Sequence, residues 1–134
     1  MKNFLFLCLF LGFAAANDCS HPDIQNMLNE LNKNYPQQVD KVTLITNTSC
    51  TNKELTYAYS LLTNDEVPFH KFTDEMIAEF NAKQRQLMRN FICTDPEVTE
   101  LRNYVDRIVF RYNLEDGRFF TKIAIDFTEC KSGL

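Results

Sequence analysis

Two stretches of alternating apolar and polar residues, joined at Asp116-Gly117 and bracketed by Cys93 and Cys130, restrict what this chain can fold into more than any other feature. In the first, Ile108, Phe110, Tyr112 and Leu114 alternate with Arg107, Arg111 and Asn113. In the second, Phe119, Ile123, Ile125 and Phe127 alternate with Lys122, Asp126 and Thr128. A period of two on both sides of an Asp-Gly pair predicts a β-hairpin with one apolar face. The chain goes out along one strand and back along the other, so Cys130 returns close to the point where Cys93 left.

The N-terminus sets the compartment. Met1-Lys2-Asn3 precedes the apolar run FLFLCLFLGFAAA, whose closing alanines suit a signal peptidase. Residues 1–16 are therefore expected to be a signal peptide and residues 17–134 a single domain. The run is shorter than the roughly 20 residues a membrane span needs, so no integral span is expected after cleavage. Cys19 follows Asn17-Asp18 rather than a small residue, which argues against a lipid anchor. The expected product is exported, periplasmic or secreted. Its formal charge of −4, or −5 once Lys2 leaves with the signal peptide, disfavours nucleic acid and anionic membranes as partners.

Four cysteines then remain, Cys19, Cys50, Cys93 and Cys130, and an even count in an exported chain points to disulfides. Chain geometry selects the pairing. A helix from Ser20 to Tyr35 runs about 24 Å at about 1.5 Å per residue. A strand from Val39 to Asn47 returns about 28 Å at about 3.3 Å per residue. Cys50 thus ends near Cys19, and Cys93 is left for Cys130. A zinc site or a reactive thiol lacks support: no Cys-x-x-Cys is present, and His21 and His70 are the only imidazoles.

The other elements follow from spacing. Ile24, Met27, Leu28, Leu31 and Tyr35 share one helical face, ended by Pro36. A second hairpin pairs VDKVTLIT with ELTYAYSLL across a polar loop, NTSCTNK, in which Asn47-Thr48-Ser49 fits a glycosylation acceptor. Thr73 caps a long helix, with Asp74 and Glu75 in its first turn and Phe72 and Ile77 at the staple positions. Met76, Ile77, Phe80, Leu87, Met88 and Phe91 are its expected buried stripe. Asp95-Pro96 starts a short helical turn. The order is α-β-β-α-α-β-β, an α+β fold with a four-stranded antiparallel sheet, helices packed on one face and two disulfides.

No catalytic constellation emerges. Two distant histidines make no metal site, and no metal or cofactor is expected. Gly117 and Gly133 are the only glycines after the signal peptide, too few for a nucleophile elbow or a phosphate-cradling loop. Asp65, Glu66, Asp74, Glu75 and Glu79 are explained by helix-start electrostatics and a solvated loop. The composition favours a non-enzymatic module that binds a protein partner. Candidate contacts are Tyr57, Tyr59, Phe69, Phe72, Arg107 and Arg111, each of which also has a reading as core, loop filler or solvated sheet face.

The segment FICTDPEV…YVDRIVFRYNLEDGRFFTKIAIDFTEC resembles the C-terminal part of the alternative class of type II secretion pilotins. There a cysteine after the long helix, a Cys-Thr-x-Pro-like turn and two strands closing on a final cysteine recur. The outline is also similar to small exported proteins described as quorum-sensing-regulated virulence factors. The resemblance implies the fold and a Cys93–Cys130 disulfide, and no active site. Those pilotins are lipoproteins that carry secretin subunits to the outer membrane; this chain departs from them in lacking a lipidation cysteine and in adding Cys19 and Cys50. The function expected is binding of a protein partner outside the cytoplasm. Alternatives are a periplasmic immunity protein against a delivered toxin, and a small secreted virulence effector or hydrolase.

Overall fold

The structure, a computed structural model, describes residues 19–130. The signal-peptide expectation for residues 1–16 lies outside the described residues.

The Asp-Gly hairpin is its C-terminal third. Strands β4 (Arg107–Leu114) and β5 (Phe119–Asp126) run antiparallel. The Gly117 amide donates to the Leu114 carbonyl at 2.9 Å, and the Leu114 amide donates to the Arg118 carbonyl at 2.8 Å. Gly117 sits at φ 91°, a conformation that costs glycine little and side-chain-bearing residues much more. Just beyond the turn the register shifts between Tyr112 and Asn113. That irregularity corrects the alternation expected for β5: Phe120 enters the core, 6% exposed, while Phe119 turns to the other face, 55% exposed.

The sheet has five strands rather than four and is mixed rather than antiparallel, in the order β1-β2-β3-β4-β5. The single strand expected at Val39–Asn47 is two, β1 (Gln37–Asp40) and β2 (Thr43–Thr51). Asp40 causes the break: its carboxylate accepts the Val42 amide at 2.9 Å and turns the chain back. β2 then runs through most of the stretch expected as a loop, so Asn47-Thr48-Ser49 lies within a strand. It meets β3 (Glu54–Leu61) through a two-residue turn, Asn52-Lys53, with φ of 52° and 61°. β3 and β4 are parallel neighbours, because the connection between them contains a long helix and can carry the chain back to the same end of the sheet.

Among the described residues, three α-helices complete the fold. α1 (Pro22–Lys33) is shorter than the expected Ser20–Tyr35; the His21 imidazole caps it by accepting the Asp23 amide at Nδ1, 3.0 Å away. α2 (Asp74–Thr94) is capped by Thr73, whose hydroxyl accepts the Met76 amide at 3.2 Å. α3 (Pro96–Thr99) is capped by Asp95, whose carboxylate accepts the amides of Glu97 and Val98. Both helices longer than one turn lie on one face of the sheet, over a core that includes Ile24, Leu55, Ile92, Ile108, Ile123 and Ile125.

α2 buries only part of the expected stripe: Ile77, Phe80 and Met88 pack on the core, and the covered arc is shifted toward Ile92. Ile92 is fully buried, and Ile77, Phe80, Asn81, Gln84, Arg85 and Met88 are partly covered. Met76, Leu87 and Phe91, expected in the core, are exposed. The two disulfides are Cys19–Cys50 and Cys93–Cys130, with Cα separations of 5.4 and 5.2 Å. The first ties the start of α1 to β2; the second ties the end of α2 to the turn that follows β5.

Candidate functional site

The helices occupy opposite flanks of the inner sheet face. α1 packs mainly on β2, and α2 on β5 and the 3-10 turn Phe127–Cys130. Strands β2 and β5 are three spacings apart, about 14 Å, whereas packed helices lie about 8–10 Å apart. The shallow trough between them runs over β3, where Tyr57 and Tyr59 stay half-buried, while Phe110 and Tyr112 on β4 beneath are covered, each 3% exposed.

Its floor is aromatic because alternate residues of neighbouring strands share one face. Tyr57 pairs with Phe110 and Tyr59 with Tyr112. Tyr59 and Tyr112 stack with centroids 5.0 Å apart, and Tyr57 and Phe110 at 5.7 Å. Tyr35 closes one side, its hydroxyl 2.8 Å from Oγ1 of Thr48. Tyr57 and Tyr59 are half-buried, and among the described residues neither hydroxyl has a hydrogen-bond partner. Burial pushes the phenols of Tyr57 and Tyr112 up to about 12 and raises that of Tyr59 as well, so all three are neutral donors at physiological pH.

The α2 wall follows from where its side chains reach. Phe80 meets Tyr112 edge-on at 5.3 Å, and Gln84 Oε1 accepts a long hydrogen bond, 3.5 Å, from the Tyr112 hydroxyl. Met76, Leu87 and Phe91 fall on the Phe80 side of the helix, at offsets of four, seven and eleven residues. They form an apolar lip, and Leu87 is 62% exposed. At one end of this lip Phe72, Met76, Glu79, Phe80 and Lys83 line an open depression of about 280 Å³.

The polar sides of both helices face outward and close the sheet. On α1, the Asn32 carboxamide donates to the Thr48 carbonyl at 2.9 Å and accepts the Thr48 amide at 3.0 Å, on β2 where β1 no longer covers it. On α2, Asn81 donates to the Lys122 carbonyl at 3.0 Å, and Arg85 to the Ala124 carbonyl at 2.8 Å. Backbone groups that would otherwise template another strand are thus occupied by side chains.

The candidate contacts named from sequence fall into separate places. Tyr57 and Tyr59 are on the trough floor. Phe69, 3% exposed, is core, in contact with Phe72, Phe80 and Phe120. Phe72 borders the small depression. Arg107 and Arg111 are on the opposite sheet face: Arg107 pairs with Asp126 at 2.8 Å and reaches Glu54 at 3.5 Å, while Arg111 lies 4.9 Å over the Phe119 ring. Leu87, Phe91 and Met76 were missed as surface residues. The signal was present in their number, since the apolar residues of α2 cover a wider arc than one sheet-facing stripe can bury. Among the described residues, no group of histidine, cysteine and carboxylate side chains could hold a metal ion, and no helix is long and apolar enough to cross a membrane.

No protein-family model and no curated protein matches this sequence. Two solved structures share its fold. A candidate secreted protein of Pseudomonas aeruginosa matches with a TM-score of 0.62 at 9% identity, over 80% of this chain and 88% of that one. EpsS, the pilotin of the Vibrio vulnificus type 2 secretion system, matches with a TM-score of 0.52 at 14% identity, over 79% of this chain and 86% of that one. At these identities the likeness is one of fold: this chain has a pilotin-like α+β fold.

Proposed function

We propose that this chain is an exported, non-enzymatic binding module that holds a segment of a partner protein in the trough between α1 and α2. The observation that carries the reading is an apolar lip, Met76, Leu87 and Phe91, beside half-buried Tyr57 and Tyr59, whose hydroxyls have no hydrogen-bond partner among the described residues. Apolar residues grouped at one concave place, with a few polar groups to orient a ligand, are what a recognition surface needs. The two disulfides support an oxidising compartment. The fold shared with a pilotin and with a candidate secreted protein supports export and a protein partner.

Photo-crosslinking residues placed singly at Leu87, Phe91 and Ala124 in the native host test this. Ala124 is exposed on the opposite face of the sheet. The reading expects one common partner captured from Leu87 and Phe91 and not from Ala124. Capture from Ala124 alone would refute it. The identity of the partner separates a secretion-channel subunit from a toxin recognised by an immunity protein.

A further inference from the structure

Among the described residues, five large apolar side chains stand exposed, and three of them, Met76, Leu87 and Phe91, are on α2. At about 100° per residue they share an arc of roughly 60° with half-buried Phe80, beside the helix face that packs on the sheet. Hollow and projection on this arc lie at opposite ends of the helix. The depression of about 280 Å³ is at its start, lined by Phe72, Met76, Glu79, Phe80 and Lys83. Leu87, the most exposed of the three at 62%, and Phe91 stand out from its second half. Such a helix complements a copy of itself that runs the opposite way. When Leu87 of one copy meets Met76 of the other, Phe91 meets Phe72 as well, because both pairs are centred on the same point of the chain, between Asn81 and Ala82. Two-fold symmetry then makes every contact twice, as in an isologous interface.

The charges of α2 select the same orientation. Its acids, Asp74, Glu75 and Glu79, all precede its bases, Lys83, Arg85 and Arg89. A parallel pair sets like charges side by side. An antiparallel pair sets the acidic half of one copy along the basic half of the other and opposes the two helix dipoles. Glu79 and Lys83 flank the central point on the rim of the depression and bond each other within one chain at 3.5 Å. Their side chains are 68% and 73% exposed, free to reach their counterparts across the pair as well. α2 is about 30 Å long, and contact along one helix falls below the roughly 800 Å² per partner of a standard stable interface, so the pairing is weak and reversible.

We propose that two copies of this chain pair through antiparallel α2 helices, each seating Leu87 and Phe91 in the depression of the other. The pairing does not depend on the trough reading; where both hold, the second copy covers the lip until a partner protein displaces it. Sedimentation velocity of residues 17–134 with both disulfides formed tests it, over about 5–500 µM, the range of a weak interface. The weight-average mass should climb with concentration toward that of a dimer. Leu87→Glu, at an exposed position, should weaken association by about ten-fold or more. Glu79→Lys and Lys83→Glu should each weaken it too, and an equimolar mixture of the two should associate again, because each copy then faces the opposite charge. Far-UV circular dichroism checks that each variant is folded. A photo-crosslinker at Leu87 should join residues 72–80 of a second copy. A monomer at the highest concentration overturns the proposal, as does association that Leu87→Glu leaves unchanged or that the mixture fails to restore. Crosslinks from Leu87 to residues 86–91 of the second copy, the mark of a parallel pair, overturn it as well. A monomer that still captures a different protein at Leu87 in the host leaves the trough reading in place; a dimer whose Leu87 captures only its own kind keeps this proposal and overturns that reading.

Discussion

Arg85→Ala should destabilise the domain by about 2 kcal/mol and expose a sheet edge. The guanidinium makes two kinds of contact. Nη1 donates to the Ala124 carbonyl at 2.8 Å, and Nη2 donates to both carboxylate oxygens of Glu129 at 2.9 Å. Glu129 in turn accepts the Asp126 amide at 3.1 Å, so removing Arg85 loosens a second edge contact. The charged hydrogen bond to the carbonyl contributes about 1.5 kcal/mol. The ion pair, 41% exposed on the Arg85 side, is screened and adds only about 0.5 kcal/mol. At roughly 4 °C per kcal/mol for a domain of this size, the melting temperature should fall by about 8 °C. Arg85→Lys retains charge without the planar fork and should recover less than half of the loss. Urea melts followed by far-UV circular dichroism measure the stability, and light scattering follows association through the opened β5 edge. A loss under about 0.5 kcal/mol, or full rescue by lysine, would refute the edge-closing role.

Three further outcomes are expected. Replacing Cys93 and Cys130 by alanine frees a loop of 37 residues and should cost about 4 kcal/mol, read from denaturant melts of the purified protein. Ile92→Ala should cost about 2–5 kcal/mol, whereas Leu87→Ala should stay within about 0.5 kcal/mol; equal losses would mean that α2 is seated on a different face. The folded-state phenols of Tyr57 and Tyr112 are raised to about 12 from an ordinary value of 10.0. Their contribution is fully present below pH 10 and is lost as pH climbs toward about 12, because the unfolded chain gives up those protons first. The urea midpoint should fall between pH 9 and pH 11, and by less in Tyr57→Phe.

What could be read ahead of the structure was whatever neighbouring residues decide. Asp116-Gly117 announces its own turn, Thr73 its cap, and the return length of each segment its disulfide. Phe119 and Phe120 show where this stops. Two adjacent phenylalanines are chemically equivalent candidates for one core position, and the bulge that chooses between them arises from pairing with Asn113. The division of β1 from β2 depends on one carboxylate, Asp40, reaching the Val42 amide instead of solvent. The parallel pairing of β3 with β4 joins segments separated by all of α2, beyond any local pattern. At the trough, Tyr57 and Tyr59 were identified, but Leu87 and Phe91 were assigned inward. The face α2 buries is selected by Asn81 and Arg85 finding backbone carbonyls on β5, and those partners lie some forty residues downstream.

The positions of the two disulfides also decide how the domain bears tension. A pull applied at Cys19 crosses directly to Cys50, and one applied at Cys130 crosses directly to Cys93. All of α1, β1 and most of β2 lie inside one covalently closed loop, and α3, β4 and β5 inside the other. Neither loop can be drawn out. Load falls only on the stretch from Cys50 to Cys93, which can extend to about 150 Å, against about 390 Å for the reduced chain from Cys19 to Cys130. A motor or channel pulling on the N-terminus would meet β3 first, between β2 and β4, with each neighbour held in its own closed ring, and one pulling on the C-terminus would meet α2.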